Sequence, residues 1–113
     1  MADTLFTRII KKEIPADIVY EDDQCFAIKD INPQAPVHLL LIPKKPIDML
    51  AHAGGEDQAL LGHLMLTVGR ITRDLQIDGA FRLVINNGAQ AGQSVFHLHI
   101  HILAGRPFHW PAG

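Results

Sequence analysis

The stretch Val95-Phe96-His97-Leu98-His99-Ile100-His101-Ile102-Leu103 alternates imidazoles with aliphatic side chains from His97 onward. Successive side chains of a β-strand point to opposite faces. The spacing therefore predicts a strand over 95–103 with His97, His99 and His101 on one face and Leu98, Ile100 and Ile102 on the core side. Neighbouring imidazoles in such a row stand ~6.6 Å apart along the strand, near enough to share one metal ion or one phosphate-sized ligand.

Upstream of this strand the segment 87–94 is rich in glycine and small polar residues and reads as a loop, preceded by a strand over 81–86. Between 56 and 75, Leu60, Leu61, Leu64, Met65, Val68, Ile71 and Leu75 recur at three- and four-residue steps. Glu56 and Asp57 suit the first turn of a helix there, which is closed near Asp78-Gly79. Pro33 and Pro36 make 32–36 a loop that feeds a strand over 37–42, and Pro43 and Pro46 end that strand. Apolar runs at 17–20 and 25–29, separated by Glu21-Asp22-Asp23-Gln24, predict a hairpin. Leu5, Phe6, Ile9 and Ile10 predict a short opening helix that stops before Pro15. About five strands, one long helix and one short helix give an α+β fold with an antiparallel sheet.

The 113 residues fit a single domain over 1–113. Hydrophobic residues make up 48% of the chain and charged residues 19%, enough apolar surface to build a core and too much for a disordered chain. A formal net charge of −2 lacks the basic excess on which generic nucleic-acid or anionic-membrane binding relies. The single cysteine, Cys25, cannot close an intrachain disulfide, and no Cys-x-x-Cys pair is available to start a structural zinc site. Met1-Ala2-Asp3-Thr4 leads straight into a segment carrying Arg8, Lys11, Lys12 and Glu13, and no apolar run approaches ~20 residues. These features predict a soluble, cytoplasmic protein.

Three readings compete for the histidine row. One is plain packing, although burying several imidazoles side by side is costly unless each finds a partner. A second is a zinc site, because His-x-His on a strand can present two ligands to one ion. The third is nucleophilic catalysis, in which one neutral imidazole attacks while its neighbours fix its tautomer and take up charge. The loop Gly88, Gly92, Gln93 and Ser94 favours the third, since backbone N–H groups, an amide and a hydroxyl can cradle a phosphate without strong positive charge. His52, His63 and His109 read as surface or packing residues.

The run His97-Leu98-His99-Ile100-His101-Ile102-Leu103 resembles the His-φ-His-φ-His-φ-φ signature of the histidine triad superfamily, where φ is hydrophobic. The likeness extends over Ile10-Lys11-Lys12-Glu13-Ile14-Pro15-Ala16, Asp30-Ile31-Asn32-Pro33-Gln34-Ala35-Pro36, Ile42-Pro43-Lys44-Lys45, Leu61-Gly62-His63-Leu64, Gly92-Gln93-Ser94 and His109-Trp110-Pro111. Together these resemble the histidine triad nucleotide-binding branch. That resemblance implies a homodimer whose two five-stranded antiparallel sheets join. It also implies hydrolysis of the P–N bond of purine nucleoside 5′-phosphoramidates and related aminoacyl-adenylates, releasing AMP or GMP.

Carried onto these residues, it implies that His99 attacks the α-phosphorus and holds a covalent nucleotidyl intermediate. His101 would bind a phosphate oxygen, His97 would orient the nucleophilic ring, and His38 would complete the group. Ser94 would assist the departing amine. Asn86, Gly92 and Gln93 would line the phosphate and 5′ side. Asp30 would accept hydrogen bonds from the ribose hydroxyls, and Ile31, Ile28, Phe6 and Ile9 would wall the base pocket. The resemblance implies no metal and no cofactor, since the zinc-binding branches use cysteine pairs that are missing here. A protein that keeps the nucleotide pocket but works by binding partners is the alternative in a different class. Neither the physiological leaving group nor a preference for adenine over guanine is legible; the tail from Arg106 to Gly113 resembles the segment that crosses towards the partner subunit's pocket and influences leaving-group preference.

Overall fold

In a computed structural model, described for residues 3–113, the chain forms a five-stranded antiparallel sheet with one short and one long helix. Met1 and Ala2, where the sequence reading starts its case against an apolar leader, lie outside the described residues. The opening helix α1 (Leu5–Ile10) is capped by Thr4, whose hydroxyl accepts from Thr7 N–H while the Thr7 hydroxyl accepts from Thr4 N–H. This reciprocal cap is what lets so short a helix hold its first turn. Strands β1 (Ile18–Glu21) and β2 (Cys25–Lys29) form the expected hairpin, followed by β3 (Val37–Pro43). Helix α2 (Gln58–Asp74) follows a 3₁₀ turn at Gly55–Asp57, so Glu56 and Asp57 precede the helix rather than form its first turn. Strands β4 (Phe81–Val84) and β5 (Ile100–Ala104) complete the sheet in the order β1-β2-β3-β5-β4.

Both faces of the sheet are covered, which explains why the central strands read as nearly continuous apolar runs. Cys25, Ala27, Leu39, Leu41, Ile100 and Ile102 pack with Leu64, Val68 and Ile71 of α2. Their alternates Phe26, Ile28, Leu40 and Ile42 pack with Phe6 and Ile9 of α1 on the other face. Among the described residues no helix is long and apolar enough to cross a membrane.

The histidine row requires a correction. The predicted strand over 95–103 is ladder-paired only from Ile100, so His97 and His99 lie in an irregular approach to β5. Leu98 N–H donates to the carbonyl of Ile47, 2.6 Å away, rather than to a neighbouring strand. The alternation still sorts side chains, since Leu98, Ile100 and Ile102 all join the α2-side core. Likewise β4 stops at Val84 rather than Asn86.

Candidate functional site

The sheet's α1 face, the irregular approach to β5 and the loop before β3 bring four histidines together. His38 is the second residue of β3, opposite Leu103, and His101 of β5 sits opposite Leu40 two residues along, so their side chains share a face. The ring centroids of His38 and His101 are 5.1 Å apart, and those of His99 and His101 are 5.2 Å apart. Phe6 of α1 presents itself edge-on to both His99 and His97, at 5.0 and 6.0 Å.

Hydrogen bonds fix the tautomers. Nδ1 of His99 lies 2.7 Å from the carbonyl oxygen of His97, so Nδ1–H donates there and the lone pair of Nε2 is left free. Gln34 N–H donates to Nδ1 of His38 over 3.0 Å. The proton of a neutral His38 therefore sits on Nε2, which lies 2.9 Å from Nδ1 of His101 and 3.4 Å from Oδ2 of Asp30. With His38 donating, His101 accepts at Nδ1 and carries its own proton on Nε2. Burial holds the His101 ring well below its ordinary pKa, down to about 4. Repulsion from His99 and His38 acts in the same direction and Asp30 against it. His101 is thus a neutral hydrogen-bond donor near pH 7.

His97 behaves differently from its neighbours. It is fully buried, its Nε2–H donates to the Pro43 carbonyl over 2.7 Å, and its Nδ1 has no partner among the described residues. Burial is the main cause that lowers its pKa, with the Pro43 carbonyl opposing. The group that orients His99 is therefore the main-chain carbonyl of His97, while the imidazole of His97 ties this residue to the end of β3 at Pro43.

Beside the histidines lies a cavity of about 560 Å³, within the range of small-molecule sites. Of the residues singled out from sequence, Phe6, Ile9, Ile28 and Ile31 form its apolar wall. Asp30, Ser94, His99 and His101 supply its polar groups. Ile31 is 97% exposed, a large aliphatic side chain at the solvent side of the lining. Asp30 is set by its own turn: Oδ1 accepts Asn32 N–H at 2.8 Å, leaving Oδ2 directed to the site.

Asn86, Gly92 and Gln93 do not line this cavity. Gln93 is buried, and its amide is fully engaged. Oε1 accepts from Gly88 N–H, and Nε2 donates to the carbonyls of Asp48 and Val95 at 2.7 and 3.0 Å. It is a brace of the loop rather than a free donor. A β-carbon on Gly92 would come 3.8 Å from the side chain of Asn86, and the φ of +97° at Gly92 suits glycine.

Sequence reasoning missed part of the wall: Leu5, Ile14, Pro15, Ala16 and Leu40 also line the cavity. Leu40 was within reach of the period-2 rule, two residues after His38 on β3. The 14–16 segment lies outside helix and strand and carried no periodic signal. His63, read as a surface or packing residue, reaches from α2 to Asp22 with Nε2 2.7 Å from Oδ2.

Comparison with known proteins agrees with this geometry. The model of the HIT domain family matches residues 11–108. An uncharacterized HIT-like protein of Synechocystis sp. is 66% identical over 111 residues, spanning 98% of this chain and 97% of that one. The crystal structure of a HIT family hydrolase from Legionella pneumophila superposes with a TM-score of 0.95 at 39% identity, covering 98% of this chain and all of that chain. A histidine triad nucleotide-binding protein from Candida albicans superposes with a TM-score of 0.82 at 29% identity, covering 98% of this chain and 85% of that chain. The α+β sheet, the four clustered histidines and these matches have one reading: the chain belongs to the HIT domain family.

Proposed function

We propose that this protein is a purine nucleoside phosphoramidase that cleaves the P–N bond of nucleoside 5′-phosphoramidates, and of related aminoacyl-adenylates, through a nucleotidyl-His99 intermediate. The observation that carries the reading is the Nδ1–H of His99 bonded to the His97 carbonyl, which leaves a free Nε2 lone pair at the edge of an apolar cavity.

In this reading the base stacks among Phe6, Ile9, Ile28 and Ile31, and the ribose hydroxyls donate to Oδ2 of Asp30. His99 Nε2 attacks the α-phosphorus, the N–P bond to the ring forms, and the P–N bond to the amine breaks. The hydroxyl of Ser94 delivers the proton that lets the amine leave neutral. His101, uncharged near pH 7, donates from Nε2 to a non-bridging oxygen whose negative charge grows in the transition state. A water then attacks phosphorus and gives its proton to the Ser94 oxygen, which restores the hydroxyl; the His99–P bond breaks, the ring regains its free Nε2 lone pair, and AMP or GMP departs. Gly92, Gln93 and Asn86 act at one remove by shaping the loop that carries Ser94. No step calls for a metal or a cofactor.

We further propose a homodimer. Strand β4 is an edge of the sheet, and Met65 and Leu66 of α2 are 45% and 78% exposed; light scattering should return twice the chain mass. Purine nucleotides and phosphoramidates are the expected partners, without nucleic acid or membrane, in the cytoplasm.

Steady-state hydrolysis of adenosine 5′-phosphoramidate tests the reaction. The wild type should release AMP, and His99→Asn should retain AMP binding while losing turnover by about 10³-fold or more. AMP binding without turnover in the wild type would replace this reading with that of a nucleotide-binding module that acts through partners.

A further inference from the structure

On the α2 side of the sheet, outside the nucleotide cavity, three side chains of metal-binding chemistry converge from three elements. Asp22 sits in the β1–β2 turn, Cys25 opens β2, and His63 lies on α2. Oδ2 of Asp22 is 2.7 Å from Nε2 of His63 and 3.6 Å from Sγ of Cys25, and the three atoms all lie within 4.8 Å of one another. The carboxylate is preset for this, because its other oxygen accepts the backbone N–H groups of Gln24 and Cys25 at 2.8 and 2.9 Å. Oδ2 collects three proton donors at once, from His63, Cys25 and the Tyr20 hydroxyl at 2.7 Å. Cys25 is buried, while the Asp22 and His63 side chains are 25% and 32% exposed, so the cluster opens to solvent on one side only.

We propose that Asp22, Cys25 and His63 form a binding site for a divalent transition metal of zinc-like chemistry, separate from the catalytic histidines. A tetrahedral ion with Zn–S ~2.3 Å and Zn–O ~2.0 Å needs its sulfur and oxygen ligands ~3.5 Å apart, and Sγ and Oδ2 are 3.6 Å apart. The His63 nitrogen must withdraw from Oδ2 by ~0.6 Å to reach the ~3.3 Å of a tetrahedral edge, a small adjustment of a half-buried side chain. Thiolate, imidazole and carboxylate leave one position for water.

Proton balance follows from the ligands. On binding, the S–H bond of Cys25 breaks, its proton goes to solvent and an S–metal bond forms. His63 stays neutral by carrying its proton on Nδ1, and Asp22 is already ionised. Burial, and next the charge of Asp22, push the Cys25 thiol up to about 12, so the metal-free thiol is inert and its proton is released whole on binding. Tyr20, Glu21, Lys44 and Arg70 are the other ionisable groups around the cluster. Affinity should therefore rise about tenfold per pH unit, in step with the one proton released from Cys25.

Titration of the full chain with Co²⁺, followed by displacement with Zn²⁺, tests the site. One equivalent should bind with a thiolate-to-cobalt absorption in the near ultraviolet. The band should vanish in Cys25→Ser, weaken in His63→Gln and persist in His38→Gln, which breaks the other histidine–carboxylate cluster. Because Cys25→Ser alters the core, the ¹⁵N resonance of His63 Nε2 in the wild-type protein gives a readout free of any variant, and it should shift on adding Zn²⁺. Absence of the sulfur band, an unmoved His63 resonance, or binding lost only in His38→Gln would overturn the proposal.

Discussion

Replacing Gln93 by alanine separates a structural brace from a substrate ligand. The Gln93 amide makes three hydrogen bonds, to Gly88 N–H and to the carbonyls of Asp48 and Val95, and it is 3% exposed. Gln93→Ala leaves all three backbone groups without that partner. A buried polar group left unpaired costs about 1–3 kcal/mol, and groups at a loop recover part of this by admitting water. The loss should come to about 2–4 kcal/mol. For a domain of this size that corresponds to a fall in Tm of about 8–16 °C, read by thermal or urea denaturation followed by circular dichroism. Gln93→Glu supplies the chemical control. It keeps the acceptor for Gly88 but turns an oxygen towards two carbonyls, so its deficit should grow with rising pH as the carboxylate ionises. If Gln93→Ala stays within about 0.5 kcal/mol of wild type and loses only kcat/KM, the amide faces substrate and the brace is refuted.

Two further outcomes rest on single groups. His101 has a folded-state pKa of about 4 against an ordinary 6.5, so between these values the unfolded chain binds more protons. Stability is then full above pH 6.5 and falls as pH drops towards 4, by on the order of 2–3 kcal/mol. Urea midpoints at pH 7 and pH 5 should show the fall, and His101→Gln should flatten it; an unchanged slope in that variant would assign the acid sensitivity elsewhere. Gly105 has φ +96°, and a β-carbon there would lie 2.8 Å from Cβ of Pro36, in the loop that leads to His38. Gly105→Ala should cost about 2–4 kcal/mol by calorimetry, whereas Gly62→Ala on the open face of α2 should gain about 0.5–1 kcal/mol. Equal effects at the two glycines would contradict the contact.

Much of this arrangement was legible because burial writes itself into side-chain period. The alternation from His97 to Leu103 correctly sorted Leu98, Ile100 and Ile102 into the core, and the three- and four-residue steps from Leu60 to Leu75 marked α2. The same alternation misstated the backbone, because pattern reports which side chains are buried and not which groups pair. Leu98 N–H found Ile47 instead of a strand. His97 shows the same limit: its place in the motif was plain, yet it acts through a main-chain carbonyl that no residue type announces. An amide such as Gln93 fits a phosphate cradle and a loop brace equally well until its partners are known. Cys25 looked solitary because His63 lies 38 residues on and meets it only after α2 packs on the sheet.

The covalent step at His99 is the centre of the account, and trapping it is the most direct test. Wild type and His101→Ala would be mixed with adenosine 5′-phosphoramidate, quenched without acid and measured by intact mass, with peptide mapping of any adduct. The account predicts one AMP per chain, attached at His99, accumulating in the slower variant and absent from His99→Ala. AMP release with no adduct in either protein, or an adduct on another residue, would contradict it.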